Sequence, residues 1–459
     1  MKQAPLGGVD GKVRAMTTPL ISSTDPCVHC GFCLPTCASY RVLGNEMDSP
    51  RGRIHALKGI ERGEITLDTT VASHFETCLG CLACVSACPS GVRYDELIEA
   101  TRPKLNAPGL RTPRERALRK LLFSLLPYPG RLRAALSPLR SYAGSRLQKL
   151  FNASGLSGLL SAELKAMEEL LPPLSENSFH DHWPVVSPAK GAKRGRVGLV
   201  LGCVQRVFDP EVNAATIRVL TANGFEVVIP RDQGCCGAAS HHQGETAQTE
   251  AFASDLIDAF DRVIGDNKEA GIEPLDAVLV AASGCGHTMK QYGSILNKQE
   301  RGQIFSAGVF DVHEFLNQQG LSEEFVRQLK PLHPNRENVS ITYHDACHML
   351  HGQQIKSAPR ELIKHIPNVV LKEPLDAGVC CGSAGIYNLV RPKEANQLGQ
   401  MKAEDLSRTR PDWIASANIG CTLQIRKHLK DQQPAPVVHP MQLLNQSFRG
   451  QRMPAINKI

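Results

Sequence analysis

The sequence predicts an α+β protein of several domains, in which a helical N-terminal domain precedes a duplicated α/β domain with parallel sheets. Three observations lead to this prediction. The chain of 459 residues is about three times as long as the roughly 150 residues that one hydrophobic core usually organises. Two cysteine runs of identical spacing lie within the first 100 residues, and one order of strands and cysteines occurs twice after residue 193.

Composition narrows the class of protein. The hydrophobic fraction of 42% and the charged fraction of 21% are those of an ordinary folded protein, and the net charge of +7 is only a weak indication of an anionic partner. We find no secretory signal and no apolar run near the roughly 20 residues of a membrane-spanning helix. The sequence therefore predicts a cytoplasmic protein, for which peripheral attachment to the inner face of the cell membrane stays open. Sixteen cysteines in this setting indicate metal ligation rather than disulfides.

The eight N-terminal cysteines form two runs of the pattern Cys-x2-Cys-x2-Cys-x3-Cys, which is the run of bacterial ferredoxins. A structural zinc site would use two separated Cys-x2-Cys pairs and needs no third cysteine in register. In two-cluster ferredoxins, the last cysteine of each run ligates the cluster of the other run. The sequence thus predicts two [4Fe-4S] clusters. Their ligands are Cys27, Cys30, Cys33 and Cys88 for the first, and Cys78, Cys81, Cys84 and Cys37 for the second.

A turn and a helix are predicted between the two runs, where Ser49 and Pro50 precede a helical sequence. Arg51 and Arg53 belong to the start of that helix. They either offset the negative charge of a thiolate-ligated cluster or face solvent, and the sequence does not decide between these roles.

The segment after the second run is basic and amphipathic. Residues 101–150 contain twelve Lys or Arg and a single acidic residue, Glu115. We expect helices that pack leucines inward, with docking to an anionic membrane or to a partner subunit as alternatives. The Pro- and Ser-rich residues 172–194 predict an extended connection and a domain boundary near residue 193.

The C-terminal half repeats one plan. Apolar strands at 197–201 and 339–343 lead to a single cysteine, 31 and 32 residues separate it from a Cys-Cys-Gly sequence, and strands at 277–282 and 413–417 lead to a last cysteine. Strands that alternate with longer helical stretches predict parallel βαβ units, whose ligands bind at the carboxyl ends of the strands. The cysteines expected to converge there are Cys203, Cys235, Cys236 and Cys285 in the first repeat, and Cys347, Cys380, Cys381 and Cys421 in the second.

Three interpretations of these C-terminal cysteines stay open. They hold a further cluster or another metal, they form a redox-active dithiol, or they are structural or docking thiols. Histidines lie close to them in the sequence, but a histidine near a strand end is more often an ordinary hydrogen-bonded residue. We therefore assign no role to His287, His344, His348 and His351.

The Cys, Cys-Cys-Gly, Cys order resembles the cysteine-rich domain of heterodisulfide reductase and of many respiratory iron-sulfur subunits. That pattern usually ends in Cys-x2-Cys, whereas Thr288 and Gln424 stand at the last positions here. Each repeat therefore has four cysteines where the resembling domain has five. The domains expected from the whole pattern are a two-cluster ferredoxin-type domain at 18–100, a basic helical linker at 101–193, and cysteine-rich repeats at 194–320 and 337–449.

The complete order resembles the iron-sulfur subunit family of bacterial glycolate oxidase. The segments that carry this resemblance lie at 27–33, 88–94, 282–286, 380–385 and 417–421. The resemblance implies a complex that oxidises glycolate to glyoxylate, and D-lactate in some relatives. FAD is then expected only in partner dehydrogenase subunits, and this chain passes electrons toward a membrane acceptor of the quinone type. The chain alone is expected not to be catalytic, so we assign no catalytic residue.

Other functions remain alternatives. One is an iron-sulfur relay subunit of a lactate or glycerol-3-phosphate dehydrogenase, and another is a thiol redox subunit like that of heterodisulfide reductase. A nucleic-acid partner is not expected, because the basic linker has neither a recognition motif nor an aromatic stacking surface.

Overall fold

The structure is a computed structural model that describes residues 24–181, 183–269, 273–429 and 435–451. Residues 18–23, the first six of the expected ferredoxin-type domain, lie outside the described residues. Within the described ranges, none of the helices has the length and apolar character needed to cross a membrane.

The N-terminal domain is helical. Its helices are α1 (Ala38–Leu43), α2 (Pro50–Glu61), α3 (Thr69–Glu76), α4 (Ala83–Ser86) and α5 (Tyr94–Thr101), with a 3₁₀ turn at Glu46–Asp48. The helix predicted after Ser49 and Pro50 is confirmed as α2. Ser49 caps it by accepting a hydrogen bond from the Gly52 amide at 3.1 Å, and Pro50 presets the first helical φ. Phe75, Leu97 and Ile98 centre the apolar core that these helices bury.

The linker is also helical. Its helices are α6 (Pro113–Leu125), α7 (Pro129–Leu136), α8 (Arg146–Ala153) and α9 (Ala162–Leu170), with 3₁₀ turns at Arg102–Asn106, Ser137–Leu139, Leu156–Leu159 and Glu176–Ser178. Helix α6 buries Leu122 and Phe123 against Ile386 of the second repeat. The expectation that the linker packs leucines inward therefore holds for this helix.

The first repeat folds around a five-stranded sheet. Its strands are β1 (Val186–Ser187), β2 (Gly195–Val200), β3 (Phe225–Val228), β4 (Ala277–Val280) and β5 (Val309–Asp311). The order is β1-β3-β2-β4-β5, and all neighbours are parallel except the edge strand β1, which is antiparallel to β3. Its helices are α10 (Gln205–Phe208), α11 (Pro210–Ala222), α12 (Ala238–His241), α13 (Thr246–Glu269), α14 (Ser283–Met289), α15 (Tyr292–Ile295), α16 (Glu300–Ala307), α17 (Val312–Gln319) and α18 (Glu323–Gln328).

The second repeat has a four-stranded parallel sheet. Its strands are β6 (Val339–His344), β7 (Val369–Lys372), β8 (Trp413–Ser416) and β9 (Val437–Val438), in the order β7-β6-β8-β9. Its helices are α19 (Ala358–Lys364), α20 (Tyr387–Val390), α21 (Pro392–Arg408), α22 (Ile419–Leu429) and α23 (Pro440–Arg449), with a π-helical turn at His348–Gly352. The predicted mixed architecture, with parallel sheets in a repeated cysteine-rich domain, is confirmed.

In the first sheet β2 lies between β3 and β4, and in the second sheet β6 lies between β7 and β8 in the same way. The chain runs from β2 to β3 toward one edge and from β4 to β5 toward the other, and β6–β7 and β8–β9 do the same in the second sheet. The carboxyl ends of β2 and β4, and of β6 and β8, therefore form topological switch points, where α/β folds bind ligands. The two repeats share one apolar core that includes residues of both sheets, and α11 packs against α23. The loops that follow β4 and β8 also meet, because the Ser283 amide donates to the Ala417 carbonyl at 3.2 Å.

Candidate metal centres

The first candidate centre is a cavity at the protein surface. The cysteines that line it are Cys27, Cys30, Cys33, Cys84 and Cys88. Cys30 is exposed, and the neighbouring Val28 and Phe32 leave 69% and 65% of their surface to solvent. The last cysteine of the second run therefore lies with the first three cysteines of the first run.

The second candidate centre lies deeper. The cysteines that line it are Cys37, Cys78, Cys81 and Cys84, and its other lining residues include Arg53 and Tyr94. Cys84 lines both cavities, so the two sites are immediate neighbours. The last cysteine of the first run thus joins the second run, which is the crossed arrangement that the spacing leads us to expect.

The two loops share an unusual backbone conformation. The residue before the second cysteine of each run has a positive φ, 54° at His29 and 59° at Gly80, and the residue after it does too, 87° at Gly31 and 62° at Leu82. Side chains other than glycine rarely adopt this region, and such strain concentrates at functional sites. The repeated conformation turns backbone amides inward, and the Gly80 amide donates to the Cys78 Sγ at 3.4 Å.

Two arginines lie close to Cys78 of the second cavity. Burial raises the pKa of Cys78, but the nearby charges of Arg53 and Arg102 outweigh it and hold this pKa below its usual value. Tyr94 also donates its hydroxyl to the Cys78 Sγ at 3.7 Å. The Nη1 of Arg53 is buried without a hydrogen-bond partner. This cavity fits a thiolate-ligated cluster that contains sulfide. It offers four thiols, a guanidinium nitrogen without a partner, and backbone amides that face the sulfur atoms.

In the first repeat, the four cysteines meet at the switch point. The Sγ atoms of Cys203 and Cys235 are 3.4 Å apart, and Cys236 contacts both Cys235 and Cys285. Contact with Cys235, followed by burial, raises the pKa of Cys203 well above its usual value. Such thiols stay protonated unless a metal ion replaces their protons.

The second repeat brings its cysteines together in the same way. Thiol contacts join Cys347 to Cys380, Cys380 to Cys381, and Cys381 to Cys421. Contact with Cys380 and burial raise the pKa of Cys347 well above its usual value. Cys347 and Cys380 also share an apolar cluster with Cys81, so this site adjoins the second N-terminal cavity.

His344 lies beside the cysteines of the second repeat. A ring nitrogen of His344 and the Sγ atoms of Cys381 and Cys421 all lie within 4.8 Å of one another. Burial, with the charge of Lys402, lowers the pKa of His344 well below its usual value, so the imidazole is neutral.

Comparison with known proteins identifies the family. Three descriptions match: "4Fe-4S dicluster domain" over 23–92, "Glycolate oxidase iron-sulfur subunit, linker region" over 114–171, and "Cysteine-rich domain" over 197–290 and 341–426. The chain is 33% identical to the "Glycolate oxidase iron-sulfur subunit" of Escherichia coli over 427 residues, which cover 92% of this chain and 93% of the relative. The chain belongs to the family of glycolate oxidase iron-sulfur subunits. The resemblance found in the sequence is thereby confirmed, and the chain is an iron-sulfur protein with more than one cluster.

Two further proteins are similar to this chain. The "Probable glycolate oxidase iron-sulfur subunit" of Bacillus subtilis is 33% identical over 406 residues, or 87% of this chain and 88% of the relative. The "Lactate utilization protein A" of Halalkalibacterium halodurans is 24% identical over 259 residues, or 55% of this chain and 98% of the relative.

Three residues of these sites escaped sequence reasoning. Sequence patterns assign no role to His344, leave two roles open for Arg53 and give no signal for Lys402. Lys402 is buried near Cys380 and Cys381. One signal was available for His344, since the first repeat has an apolar residue, Val200, at the corresponding strand end.

Proposed function

We propose that this chain is the electron-transfer subunit of a glycolate oxidase complex. It receives electrons from an FAD-binding dehydrogenase subunit that oxidises glycolate to glyoxylate, and it passes them toward a membrane acceptor of the quinone type. The observation that supports this most is the adjacency of two cavities, lined by five and by four cysteines, that share Cys84 in a chain of this family. Iron-sulfur clusters, when bound, take up and release single electrons without making or breaking substrate bonds.

The ligand assignment is part of the proposal. One cluster is held by Cys27, Cys30, Cys33 and Cys88, and the other by Cys78, Cys81, Cys84 and Cys37. We also propose the domain division at 18–100, 101–193, 194–320 and 337–449. The chain's own residues bind the clusters, surround them with cations and amides, and exclude water from the second one.

The surface around the first cavity suits the dehydrogenase partner. Val28 and Phe32 are apolar and exposed beside the exposed Cys30. Exposed apolar residues next to a redox centre allow a partner to dock within electron-transfer distance. We assign electron entry to this face.

The linker suits a membrane surface. Leu147, Leu150, Leu156 and Leu159 are exposed on and after α8, and residues 131–160 contain five Lys or Arg and no acidic residue. Exposed leucines beside uncompensated positive charge are typical of segments that lie on anionic bilayers. We propose that this leucine patch attaches the complex peripherally to the inner face of the cell membrane.

Anaerobic reconstitution tests the function. The chain is purified with its candidate flavoprotein partner, and glycolate-dependent bleaching of the cluster absorbance is measured. We expect bleaching by the complex and none by either protein alone. A Cys33→Ser chain is the control, because it should lose the first cluster and its absorbance should therefore bleach more slowly than that of the wild-type complex. Oxidation of glycolate by the isolated chain would contradict the relay assignment.

D-lactate is the second candidate substrate, because the lactate utilization relatives share half of this chain. Running the same assay with D-lactate and glycerol 3-phosphate separates the alternatives. Bleaching by D-lactate alone would assign the chain to a lactate dehydrogenase complex. Reduction of a disulfide substrate by the isolated chain would instead favour a heterodisulfide-reductase-like role.

A further inference from the structure

His344 is buried beside cysteines with its hydrogen-bonding capacity unused. Its side chain is 1% exposed, and neither ring nitrogen has a hydrogen-bond partner. The ligand atoms of His344, Cys381 and Cys421 lie within 4.8 Å of one another. A buried polar group without a partner costs free energy, so an unpartnered imidazole aimed at thiols indicates a group that binds both.

Two other buried histidines of the C-terminal half, His439 and His313, have hydrogen-bond partners. Nε2 of His439 donates to the Ala281 carbonyl at 2.9 Å, and its Nδ1 accepts from the Met441 amide at 3.2 Å. His313 contacts the Asp311 carboxylate at 2.6 Å. Among the described residues, Nε2 of His313 has no partner, and neither ring nitrogen of His242 has one, but the cavity that His242 lines contains no cysteine. His344 differs from these rings because it lies beside the sulfur atoms of two cysteines.

The first repeat provides an internal comparison. His344 pairs with Ser416 at the end of β6 and β8, and Val200 pairs with Val280 at the end of β2 and β4. Val200 therefore occupies the position of His344 and is also fully buried. The two repeats consequently offer different ligand sets: four thiols in the first, and four thiols with an imidazole in the second.

Gln424 does not replace the fifth cysteine. Its Nε2 donates to the Ala395 carbonyl at 2.8 Å, and its Oε1 accepts from the Asn388 amide at 3.1 Å. The side chain is thus engaged in packing α22 against α20 and α21. The fifth ligand position is therefore open, and His344 reaches the site from another element, the end of β6.

We propose that the second repeat binds an iron-sulfur cluster in which His344 is a nitrogen ligand beside Cys347, Cys380, Cys381 and Cys421. Imidazole and thiolate together suit iron in such clusters. Because Cys81 packs with Cys347 and Cys380, this centre would be the neighbour of the second N-terminal cluster. The inference concerns metal content and does not require glycolate to be the substrate.

Nitrogen hyperfine spectroscopy of the reduced, anaerobically purified full chain tests the proposal. Wild-type protein labelled with ¹⁵N-histidine should show a strongly coupled nitrogen, and its iron content should exceed the about eight irons of two [4Fe-4S] clusters. The His344→Gln variant should lose the coupling. His344→Cys should also lose it but keep the iron, and the midpoint potential of that centre should become more negative because a thiolate replaces a neutral imidazole.

His351→Gln is the matched control, because His351 lies in the same repeat and already contacts the Gly378 carbonyl at 3.0 Å. It should retain both coupling and iron. The absence of a coupled histidine nitrogen from wild-type protein would overturn the proposal, as would one zinc ion that disappears with His344→Gln. Neither result would affect the glycolate assay, so failure of this inference is distinct from failure of the proposed function.

Discussion

Arg53 is a buried cation in the wall of the second cavity. The side chain is 1% exposed, and its guanidinium donates to the His74 carbonyl at 2.6 Å and to the hydroxyls of Ser39 and Thr77 at 3.0 and 2.9 Å. These contacts fix a buried cation beside the thiols while leaving Nη1 without a partner. A fixed positive charge favours the more negative, reduced form of a cluster.

The Arg53→Met substitution should lower the midpoint potential of the second cluster and make that cluster labile. The physical reason is the loss of a buried cation while four thiolates remain. Redox titration followed by electron paramagnetic resonance measures the potential, and iron counting measures the loss. Arg53→Lys keeps the positive charge, so the midpoint potential of the second cluster should lie between those of the wild-type protein and Arg53→Met. An unchanged potential in Arg53→Met would show that Arg53 is only a structural residue.

Residue roles were partly predictable. The cysteine groups follow from spacing alone, because the crossed arrangement is a property of the paired runs. The role of Arg53 stays open in the sequence, because the first turn of a helix has the same sequence pattern whether its arginines face solvent or a cavity. His344 depends on the loops that follow β7 and β8, which bring Cys381 and Cys421 to it from distant parts of the chain.

At the scale of elements, glycine controls how each Cys-Cys pair meets its helix. Gly237 and Gly382 follow the pairs and have φ values of 78° and 88°. A Cβ on Gly382 would lie 2.7 Å from the Ala395 carbonyl oxygen of α21. Glycine at this position therefore allows the loop to approach the backbone of α21 closely.

The Gly382→Ala substitution should destabilise the second repeat by about 2 to 4 kcal/mol, since it adds left-handed strain to a steric clash. Gly234→Ala is the matched control, because Gly234 precedes the other pair and a Cβ there would meet nothing within 4 Å. Calorimetry of the anaerobic protein should show a lower melting temperature for Gly382→Ala only. Equal melting temperatures for both variants would contradict this account.

The strands were predicted well in place and less well in extent. The strand predicted at 277–282 is shorter in the structure, at Ala277–Val280. Ala282 is already the N-cap of α14, the helix that contains Cys285. Strand β1 was missed within the predicted extended connection. Its two residues pair antiparallel with β3, a tertiary contact that no local pattern encodes.

The whole molecule arranges its sites in a series. The first cavity opens at the surface, the second shares Cys84 with it, and Cys81 of the second packs with Cys347 and Cys380. In the first repeat, Cys203 and Cys235 instead pack with Phe252 and Tyr128, and Cys236 and Cys285 belong to the apolar core of that repeat. The N-terminal sites and the second repeat thus form one continuous set of sulfur-lined sites, which the linear sequence separates by about 250 residues.

The Phe32→Ser substitution should weaken electron delivery from the flavoprotein partner if that partner docks on the first cavity. Aromatic residues at interfaces often contribute more than 1 kcal/mol, so we expect an about tenfold higher concentration of this chain for half-maximal reduction. Iron content should not change, because Phe32 is exposed. Val370→Ser is a comparable exposed substitution in the second repeat and should have no effect. Unaltered delivery in Phe32→Ser would move the docking face elsewhere.

Attachment to membranes should depend on the leucine patch and on salt. The Leu147→Gln/Leu150→Gln pair removes two exposed leucines from α8 while leaving Arg146 and Lys149 in place. Cosedimentation with vesicles that contain anionic lipid should fall, because apolar burial and electrostatic attraction act together at such surfaces. Wild-type binding should also weaken as salt screens the basic residues. Leu375→Gln, which alters an equally apolar residue exposed in the second repeat, should bind as wild type does. If the double variant cosediments normally at every salt concentration, the linker does not contact the bilayer and its exposed leucines belong to a subunit interface.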